Sequence, residues 1–246
     1  MTASGSSPDT RAIVLDIEGT TTPISFVSQT LFPYARRHLR QYLEQHDDDA
    51  AWAALAERFR REHRADREAG ADVPPWTEGS ERDSIAAYAG WLMDRDRKSP
   101  ALKELQGRIW EEGYRQGELR GAVFPDVAAA FERWTRAGRA LAIFSSGSVL
   151  AQQWLFRSTP DGDLTVFLRS YFDTAVGSKA DAASYARIAE TMRLPAGAIL
   201  FVSDVVPELD AAAAAGMRTT LSIRPGNAAQ PRDHGHPIVS GFDEIP

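Results

Sequence analysis

The sequence predicts an α/β fold in which a parallel β-sheet, flanked by helices, carries an inserted all-helical domain. Three observations predict it. A single apolar run near the start, residues 12–16, is typical of a buried strand. Helical patterns alone occupy about residues 28–121, and strand-like and helical runs then alternate from Val123 onward. Since such alternation is typical of parallel sheets, we expect the lone first strand to join the later ones.

Four amphipathic segments make up the helical block. In order they read SQTLFPYARRHLRQYLEQ, DAAWAALAERFRREHRAD, SERDSIAAYAGWLMDRD and SPALKELQGRIWEEGYRQG. The first two repeat apolar residues at the spacing of one helix face. In the fourth, we expect Ser99 to cap the amino terminus, Pro100 to open the first turn and Gly117 to end the helix. The proline pair in AGADVPPWTEG predicts a loop between the second and third segments.

The second half of the chain contains the remaining predicted strands. We place them at RALAIFSSG, FDTAV, AILFVSD and RTTLSI. The predicted helices that precede and separate them are DVAAAFERWTRAG, SVLAQQWLF, DAASYARIAETMR and PELDAAAAAG. A helix between successive strands is the usual crossover that brings two strands parallel.

The composition narrows the class of protein. The 246 residues are 43% hydrophobic and 25% charged, as in an ordinary globular protein. A net charge of −6 gives no broad positive surface, so we expect neither nucleic acid nor a membrane as a partner. No apolar run reaches the length of a membrane span. The lack of cysteine excludes disulfides and thiolate chemistry and fits a cytoplasmic protein. Residues 1–10, MTASGSSPDT, do not resemble a signal peptide and are interpreted as a flexible tail.

Polar residues suited to phosphate chemistry follow four of the predicted strands. In an open parallel sheet, ligands bind at the carboxyl ends of the strands. In chain order the residues found there are Asp16 and Glu18, Ser145 and Ser146, Lys179, and Asp204 with Glu208. Each alone is common in a turn or a helix cap, but all are expected at one edge of the sheet. We therefore interpret them as a single site.

This combination predicts metal-assisted phosphoryl transfer. Carboxylates at two strand ends suit Mg²⁺, which prefers oxygen ligands. A lysine, hydroxyls and backbone N–H groups suit the phosphate oxygens. A carboxylate beside the metal can attack phosphorus and form an aspartyl-phosphate, while a second acid protonates the leaving group and later activates water. Asp16 and Glu18 fit these two roles.

The same residues resemble the haloacid-dehalogenase superfamily of phosphotransferases, in the order Asp-x-acid, Ser, Lys and a final acidic pair. Most phosphatases there carry Asp-x-Asp, whereas this chain has Glu18 at the second position. Four segments look, more narrowly, like the enolase-phosphatases of methionine salvage: LDIEGTTTPISFV, DRKSPALKELQG, FSSGSVLAQQWLF and SIRPGNA. The similarity covers about residues 11–228, and the run Asp-Ile-Glu-Gly-Thr-Thr-Thr is highly specific.

The resemblance implies a domain organisation and a metal site. A Rossmann-like core would comprise residues 11–24 and 122–246, with an all-helical cap, residues 25–121, inserted after the first motif. One Mg²⁺ per subunit would be held by Asp16, Asp204 and the backbone carbonyl of Glu18, with Glu208 contributing through water. The phosphate would be bound by Ser145, Ser146 and Lys179.

The implied reaction has two steps on one small phosphorylated diketone, 2,3-diketo-5-methylthiopentyl-1-phosphate. The substrate is first enolised and then dephosphorylated to the acireductone, 1,2-dihydroxy-3-keto-5-methylthiopentene. A metal that polarises a carbonyl would assist the enolisation. The acidic charge, with no obviously exposed apolar helix, favours a monomer.

Three alternatives stay open. Another small-molecule phosphatase or a phosphomutase of the same superfamily would use Asp16 in the same way, so only the substrates separate them. A hydrolytic dehalogenase needs no metal, and Asp204 with Glu208 argues against it. A binding module on this fold is the third alternative, which the complete set of site residues disfavours. His234 and His236 are interpreted as part of a polar loop rather than as metal ligands.

Overall fold

The computed structural model describes residues 10–46, 50–231 and 233–246, so nearly all of the predicted tail at residues 1–10 lies outside the described residues. The strands are β1 (Ala12–Leu15), β2 (Ala140–Phe144), β3 (Leu168–Phe172), β4 (Ile199–Ser203), β5 (Arg218–Ser222) and β6 (Ile238–Val239). The helices are α1 (Ile24–Phe26), α2 (Phe32–Gln45), α3 (Ala50–Glu68), α4 (Glu81–Asp94), α5 (Pro100–Gln116), α6 (Val127–Arg136), α7 (Val149–Arg157), α8 (Ala182–Met192) and α9 (Val206–Ala214).

These strands form one parallel sheet in the order β3-β2-β1-β4-β5-β6. β1 lies between β2 and β4, and its Leu15 is paired with Ile143 on one side and Val202 on the other. Strand order reverses at β1, which makes the carboxyl ends of β1, β2 and β4 neighbours. In open α/β sheets this switch point is where ligands bind. The predicted α/β fold class is confirmed.

Both faces of the sheet are covered, which explains why its central strands read as continuous apolar runs. Successive side chains of β1 point to opposite faces, so Ile13 and Leu15 enter one core cluster while Ala12 and Val14 enter the other. The first cluster contains the fully buried Trp134, whose Nε1 donates to the Ile245 carbonyl at 3.2 Å. The indole N–H therefore has a partner within the core.

The chain divides into two compact units. One comprises the residues up to Val27 together with Arg120–Pro246 and contains the sheet, and the other is Ser28–Leu119. In the second unit, α2 packs on α4 and α5, and α3 packs on the same two helices. Among the described residues, no helix is both long and apolar enough to cross a lipid bilayer.

The predicted ends of α5, which corresponds to the fourth predicted helical segment, are confirmed. Ser99 precedes it and its Oγ accepts a hydrogen bond from the Leu102 N–H at 2.9 Å. Pro100 opens the first turn, and Gly117 ends the helix in the left-handed conformation at φ +77°.

The predicted position of the third strand is wrong. We placed it at FDTAV, but β3 ends at Phe172, the first residue of that segment. Asp173 then starts a turn, because its carboxylate accepts from the Ala175 N–H at 2.9 Å and its carbonyl accepts from the Val176 N–H at 3.0 Å. An aspartate that binds its own backbone in this way favours a turn over a strand. The short edge strand β6 was not predicted.

The cap of α5 allows a matched test of helix capping. Ser99→Ala should lower the free energy of unfolding by about 1–2 kcal/mol, because it removes the bond to Leu102 and a hydroxyl that also bonds Glu62. Ser80 occupies the same position before α4 without a side-chain cap bond. Ser80→Ala should therefore cost much less, and urea titration of the two variants measures the difference. Equal losses would contradict the capping role of Ser99.

Candidate active site

Asp16 lies at the carboxyl end of β1 and is positioned by the sheet itself. Its backbone N–H donates to the Val202 carbonyl at 3.0 Å, which extends the pairing with β4 by one residue. The residue is only 5% exposed. Its Oδ1 accepts a hydrogen bond from the Ile17 N–H at 2.7 Å and forms an ion pair with Lys179 Nζ at 2.6 Å. The carboxylate is thus held in one orientation with its charge compensated.

Lys179 joins two carboxylates from different elements. Its Nζ lies 2.6 Å from Asp16 Oδ1 and 2.6 Å from Glu208 Oε2, the latter in the first turn of α9. Burial alone would lower the pKa of the Lys179 ammonium, but the two carboxylates raise it above its ordinary value. The Tyr185 hydroxyl donates to the Lys179 carbonyl at 2.7 Å and so fixes the backbone of the lysine. Lys179 therefore stays charged in this buried position.

Asp204 and Glu208 bring further negative charge to the same edge. Burial, followed by the charge of Asp16, raises the pKa of Asp204 to about 7. Burial and Asp16 also raise the pKa of Glu208, although Lys179 opposes the shift. The Ser203 hydroxyl donates to Glu208 Oε2 at 2.9 Å and lies 3.4 Å from Asp16 Oδ2. Two carboxylates thus contact one ammonium group and Asp204 adds a third negative charge near them, and this excess of negative charge would be relieved by a bound cation.

The loop formed by residues 16–22, called here the 16–22 loop, is tightly folded. The Ile17 carbonyl accepts from three successive N–H groups, those of residues 20–22, at 2.8–3.2 Å. The Thr21 hydroxyl donates to the Asp16 carbonyl at 3.1 Å. All three threonine side chains are fully buried, whereas Glu18 is exposed. The threonine run of the sequence is therefore a packing and hydrogen-bonding feature of this loop.

Gly19 allows Asp204 to approach the backbone of the 16–22 loop. Gly19 has φ +68°, a conformation that L side chains rarely adopt. A Cβ at this position would overlap Asp204 Oδ2 and would lie 2.9 Å from Asn227 Oδ1. The carboxylate of Asp204 therefore occupies the space where any other residue would place its side chain.

Ser145 and Ser146 lie beyond β2, the strand next to β1. Ser145 is buried, its N–H donates to the Phe172 carbonyl at 3.1 Å, and its Oγ accepts from the Gly147 N–H at 3.2 Å. The Gln152 amide donates to the Gly147 and Phe172 carbonyls, both at 2.9 Å, and holds the loop against the sheet. Ser146 is exposed. The serines share the carboxyl edge with Asp16 through strand order rather than through a hydrogen bond to it.

Asn227 and Arg224 contact the 16–22 loop although the sequence analysis assigned them no role. The Asn227 Nδ2 donates to the Gly19 carbonyl at 2.9 Å, and Arg224 Nε donates to the Thr20 carbonyl at 3.3 Å. Both belong to SIRPGNA, a segment noted only for its resemblance. The Pro-Gly turn directly after a predicted strand, at the same edge of the sheet, is the sequence feature that could have indicated a role for these two residues.

The residues present fit a hard divalent cation. Among the residues that the structure describes, no cluster of three or more His, Cys, Asp or Glu side chains is arranged to hold a metal. The two buried carboxylates of Asp16 and Asp204 nevertheless stand at neighbouring strand ends, and Asp204 packs directly on the loop backbone at Gly19. Two carboxylates completed by a backbone carbonyl and water form the oxygen donor set that Mg²⁺ takes in proteins.

Two other features lie outside this cluster. A cavity of about 390 Å³ in the Ser28–Leu119 unit is lined by residues that include Arg60, His63 and Trp76. Arg60 there is already paired with Glu81, and the cavity contains no lysine between carboxylates. Both ring nitrogens of His236 bind protein groups, Thr219 Oγ1 at 2.8 Å and Asp210 Oδ1 at 3.0 Å. The sheet edge is therefore the candidate active site.

Comparison with known proteins first defines the class to which this fold and site correspond. A family model described as haloacid dehalogenase-like hydrolase matches residues 10–216. The crystal structure of the UTR4 protein from Saccharomyces cerevisiae is similar, with a TM-score of 0.76 at 32% sequence identity. That similarity covers 96% of this chain and 100% of the yeast chain.

Curated relatives narrow the class. Enolase-phosphatase E1 of Synechococcus elongatus is 51% identical over 235 residues, which cover 95% of this chain and 96% of the relative. Enolase-phosphatase E1 of Azotobacter vinelandii is 46% identical over 235 residues, 96% of each chain. The chain therefore belongs to the enolase-phosphatase E1 family of the haloacid dehalogenase-like hydrolases. The resemblance and the hydrolase class predicted from the sequence are confirmed.

The close approach at Gly19 yields a test. Gly19→Ala should cost about 1 kcal/mol for the left-handed backbone and about 1–3 kcal/mol more for the overlap with Asp204 and Asn227. Gly138→Ala is the matched control, since Gly138 has φ +80° with no atom within 4 Å of the added Cβ. Urea titration should show a clearly larger loss for Gly19→Ala. If the two losses were the same, the packing of Asp204 against Gly19 would be refuted.

Proposed function

We propose that this chain is a Mg²⁺-dependent enolase-phosphatase that converts 2,3-diketo-5-methylthiopentyl-1-phosphate to the acireductone and phosphate. The observation that carries the proposal is the buried cluster in which Lys179 binds Asp16 and Glu208 at 2.6 Å each. The relatives named enolase-phosphatase support the choice of substrate.

Asp16 is the proposed nucleophile. Its Oδ1 is engaged by Lys179 and the Ile17 N–H, whereas Oδ2 has only the longer contact of 3.4 Å with the Ser203 hydroxyl and is the proposed oxygen that attacks phosphorus. Attack forms an aspartyl-phosphate and breaks the bond between phosphorus and the substrate oxygen, which takes a proton as it leaves. Glu18 is the proposed acid for that step and the base that later activates the water for hydrolysis. Hydrolysis regenerates Asp16 and releases phosphate.

Lys179, Ser145 and Ser146 are proposed to bind the phosphate. The ammonium of Lys179, 2.6 Å from Asp16 Oδ1, compensates the charge of that carboxylate and neutralises part of the charge of the phosphate as it transfers. The Ser145 and Ser146 hydroxyls and the loop N–H groups offer hydrogen bonds to its oxygens. Gln152 keeps this loop in place through the Gly147 carbonyl.

Asp16, Asp204 and the carbonyl of Glu18 are the proposed holders of one Mg²⁺, with Glu208 acting through water. When bound, Mg²⁺ would supply Lewis-acid polarisation and would neutralise the charge of the phosphate. Burial, followed by the charge of Asp16, raises the pKa of Asp204 to about 7, and the negative charge gathered there supports a cation at this place.

The Ser28–Leu119 unit is proposed to be the cap domain of the enzyme. It is inserted between β1 and α6, directly after the 16–22 loop and α1. The cytoplasmic location, the monomeric state, and the absence of nucleic-acid and membrane partners stay predictions of the sequence.

The reaction is tested by anaerobic turnover of the diketone phosphate with Mg²⁺, following enol absorbance and phosphate release in one sample. We expect a transient enol followed by one phosphate per substrate, with both signals abolished by EDTA. Release of phosphate from simple esters without action on the diketone would move the protein to the general phosphatases. Transfer of phosphate to a second position of a sugar would indicate a phosphomutase. Turnover that is insensitive to EDTA would contradict the proposed dependence on Mg²⁺.

Asp16→Asn tests the nucleophile. We expect phosphate release to fall by at least about a thousandfold, as when a covalent nucleophile is removed. The fold should be retained, because Glu208 still pairs with Lys179 and the loss of one negative charge relieves the repulsion between Asp16 and Asp204. Asp210→Asn, at an exposed position of the same unit, is the control and should leave turnover unchanged. Turnover retained by Asp16→Asn would refute the assignment.

A further inference from the structure

The structure assigns to Asn227 a positioning role. We infer that its side-chain amide orients the peptide groups on both sides of Gly19 and thereby the Glu18 carbonyl proposed to bind Mg²⁺. This inference rests on the proposed function, because it concerns a ligand of that site. Asn227 is not itself proposed to contact the metal or the substrate, and it acts only through the 16–22 loop.

A rigid turn brings Asn227 to the loop. The segment Arg224-Pro225-Gly226-Asn227 closes with a hydrogen bond from the Asn227 N–H to the Arg224 carbonyl at 3.1 Å. Gly226 has φ +90°, and proline followed by a glycine with positive φ is the pattern of a type II turn. Proline fixes its own φ, so the turn loses little freedom when the loop binds it. The turn therefore holds Asn227 in position before its side chain contacts the loop.

The side chain of Asn227 bridges the end of β5 to the 16–22 loop. Its Nδ2 donates to the Gly19 carbonyl at 2.9 Å and to the Ser222 carbonyl at 3.2 Å, Ser222 being the last residue of β5. Because both partners are acceptors, the amide nitrogen and not the oxygen must face them. One amide group thus ties the loop to the end of a strand of the sheet.

The bond to Gly19 matters because glycine is the most flexible residue of the loop. The peptide group before Gly19 contains the Glu18 carbonyl, and its N–H donates to the Thr22 carbonyl at 2.8 Å. The peptide group after Gly19 contains the carbonyl bound by Asn227, and its N–H donates to the Ile17 carbonyl at 3.2 Å. In a trans peptide the C=O and N–H point in opposite directions, so fixing these groups fixes the direction of the Glu18 carbonyl. Asn227 supplies the anchor that comes from outside the loop.

Arg224 anchors the same loop by a different set of contacts, so the loop is not expected to unfold when Asn227 is removed. Arg224 donates to the Thr20 carbonyl at 3.3 Å and pairs with Asp126 at 2.8 Å. Its guanidinium also stacks on Phe124 and Phe242, at 4.7 and 4.5 Å from the ring centres. The expected result of losing Asn227 is a mobile Gly19 within a folded protein.

The test is calorimetric titration of the full-length protein with Mg²⁺, in wild type and Asn227→Ala. We expect the Mg²⁺ dissociation constant to rise about 10-fold to 100-fold, the usual effect of removing a group that orients a metal ligand. At saturating Mg²⁺, kcat should return to within about threefold of wild type. Gln230→Ala is the matched control, because Gln230 lies three residues beyond Asn227 and bonds Val206 and Ala228 rather than the 16–22 loop. Its Mg²⁺ affinity should not change.

A second readout separates positioning from general support of the fold. Mg²⁺ raises the melting temperature of a protein that binds it only when folded. A merely structural role of Asn227 would lower the melting temperature without Mg²⁺ and leave the Mg²⁺-induced rise intact. A positioning role should instead reduce that rise. If Asn227→Ala does not fold, Asn227→Ser, which is too short to reach the Gly19 carbonyl, replaces it in both measurements.

The outcomes distinguish this inference from the function on which it rests. Wild-type protein that neither binds Mg²⁺ nor turns over the diketone phosphate refutes the proposed function. Wild-type protein that binds Mg²⁺, with an equal affinity in the Asn227 variant, overturns the role of Asn227 and leaves the function standing. Reduced affinity in both Asn227→Ala and Gln230→Ala also overturns it, since the effect would then not depend on Gly19.

Discussion

The ammonium of Lys179 is the group on which the rest of the site depends. It lies between Asp16 and Glu208, carboxylates brought together from β1 and α9, and Asp204 stands beside them. Without this cation, the negative charges of Asp16, Asp204 and Glu208 would repel one another, and burial followed by the charge of Asp16 already raises the pKa of Asp204 to about 7. Because one lysine cannot neutralise three carboxylates, the net charge of the cluster stays negative. The remaining negative charge would favour the binding of a further cation at this edge of the sheet.

The central sheet sets where these charges meet. β1 and β4 pair in parallel register, so Asp16 and Asp204 come one residue beyond neighbouring strand ends. Lys179 comes from the loop after β3 and reaches the same edge across β2. The strand order alone brings these charged residues to one edge of the sheet. Local interactions, such as the hydrogen bond from the Tyr185 hydroxyl to the Lys179 carbonyl, then fix their positions.

Much of this arrangement was predictable from the sequence because its signals are local. The strands β1, β2 and β4 are apolar runs followed directly by polar residues, and α5 has a serine cap, a proline and a terminal glycine. The third strand was misplaced because the β-favouring FDTAV run competes with an aspartate that binds its own backbone. The contacts of Asn227 and Arg224 join residues about two hundred positions apart. The spacing of residues along a sequence gives no information on contacts between such distant positions.

The insertion of the Ser28–Leu119 unit after the first strand has a consequence for how the chain acquires its structure. On a ribosome, β1 emerges before either of its sheet neighbours, β2 and β4, has been made. The helices of the inserted unit contact one another at short sequence separation and are able to fold early, whereas β1 must wait for distant partners. During that interval a fully apolar strand has both edges unpaired, the condition that invites intermolecular association. Assembly of the sheet edge that holds the candidate active site is therefore among the last events of synthesis, and the apolar strand that precedes Asp16 is the part of the nascent chain most in need of protection.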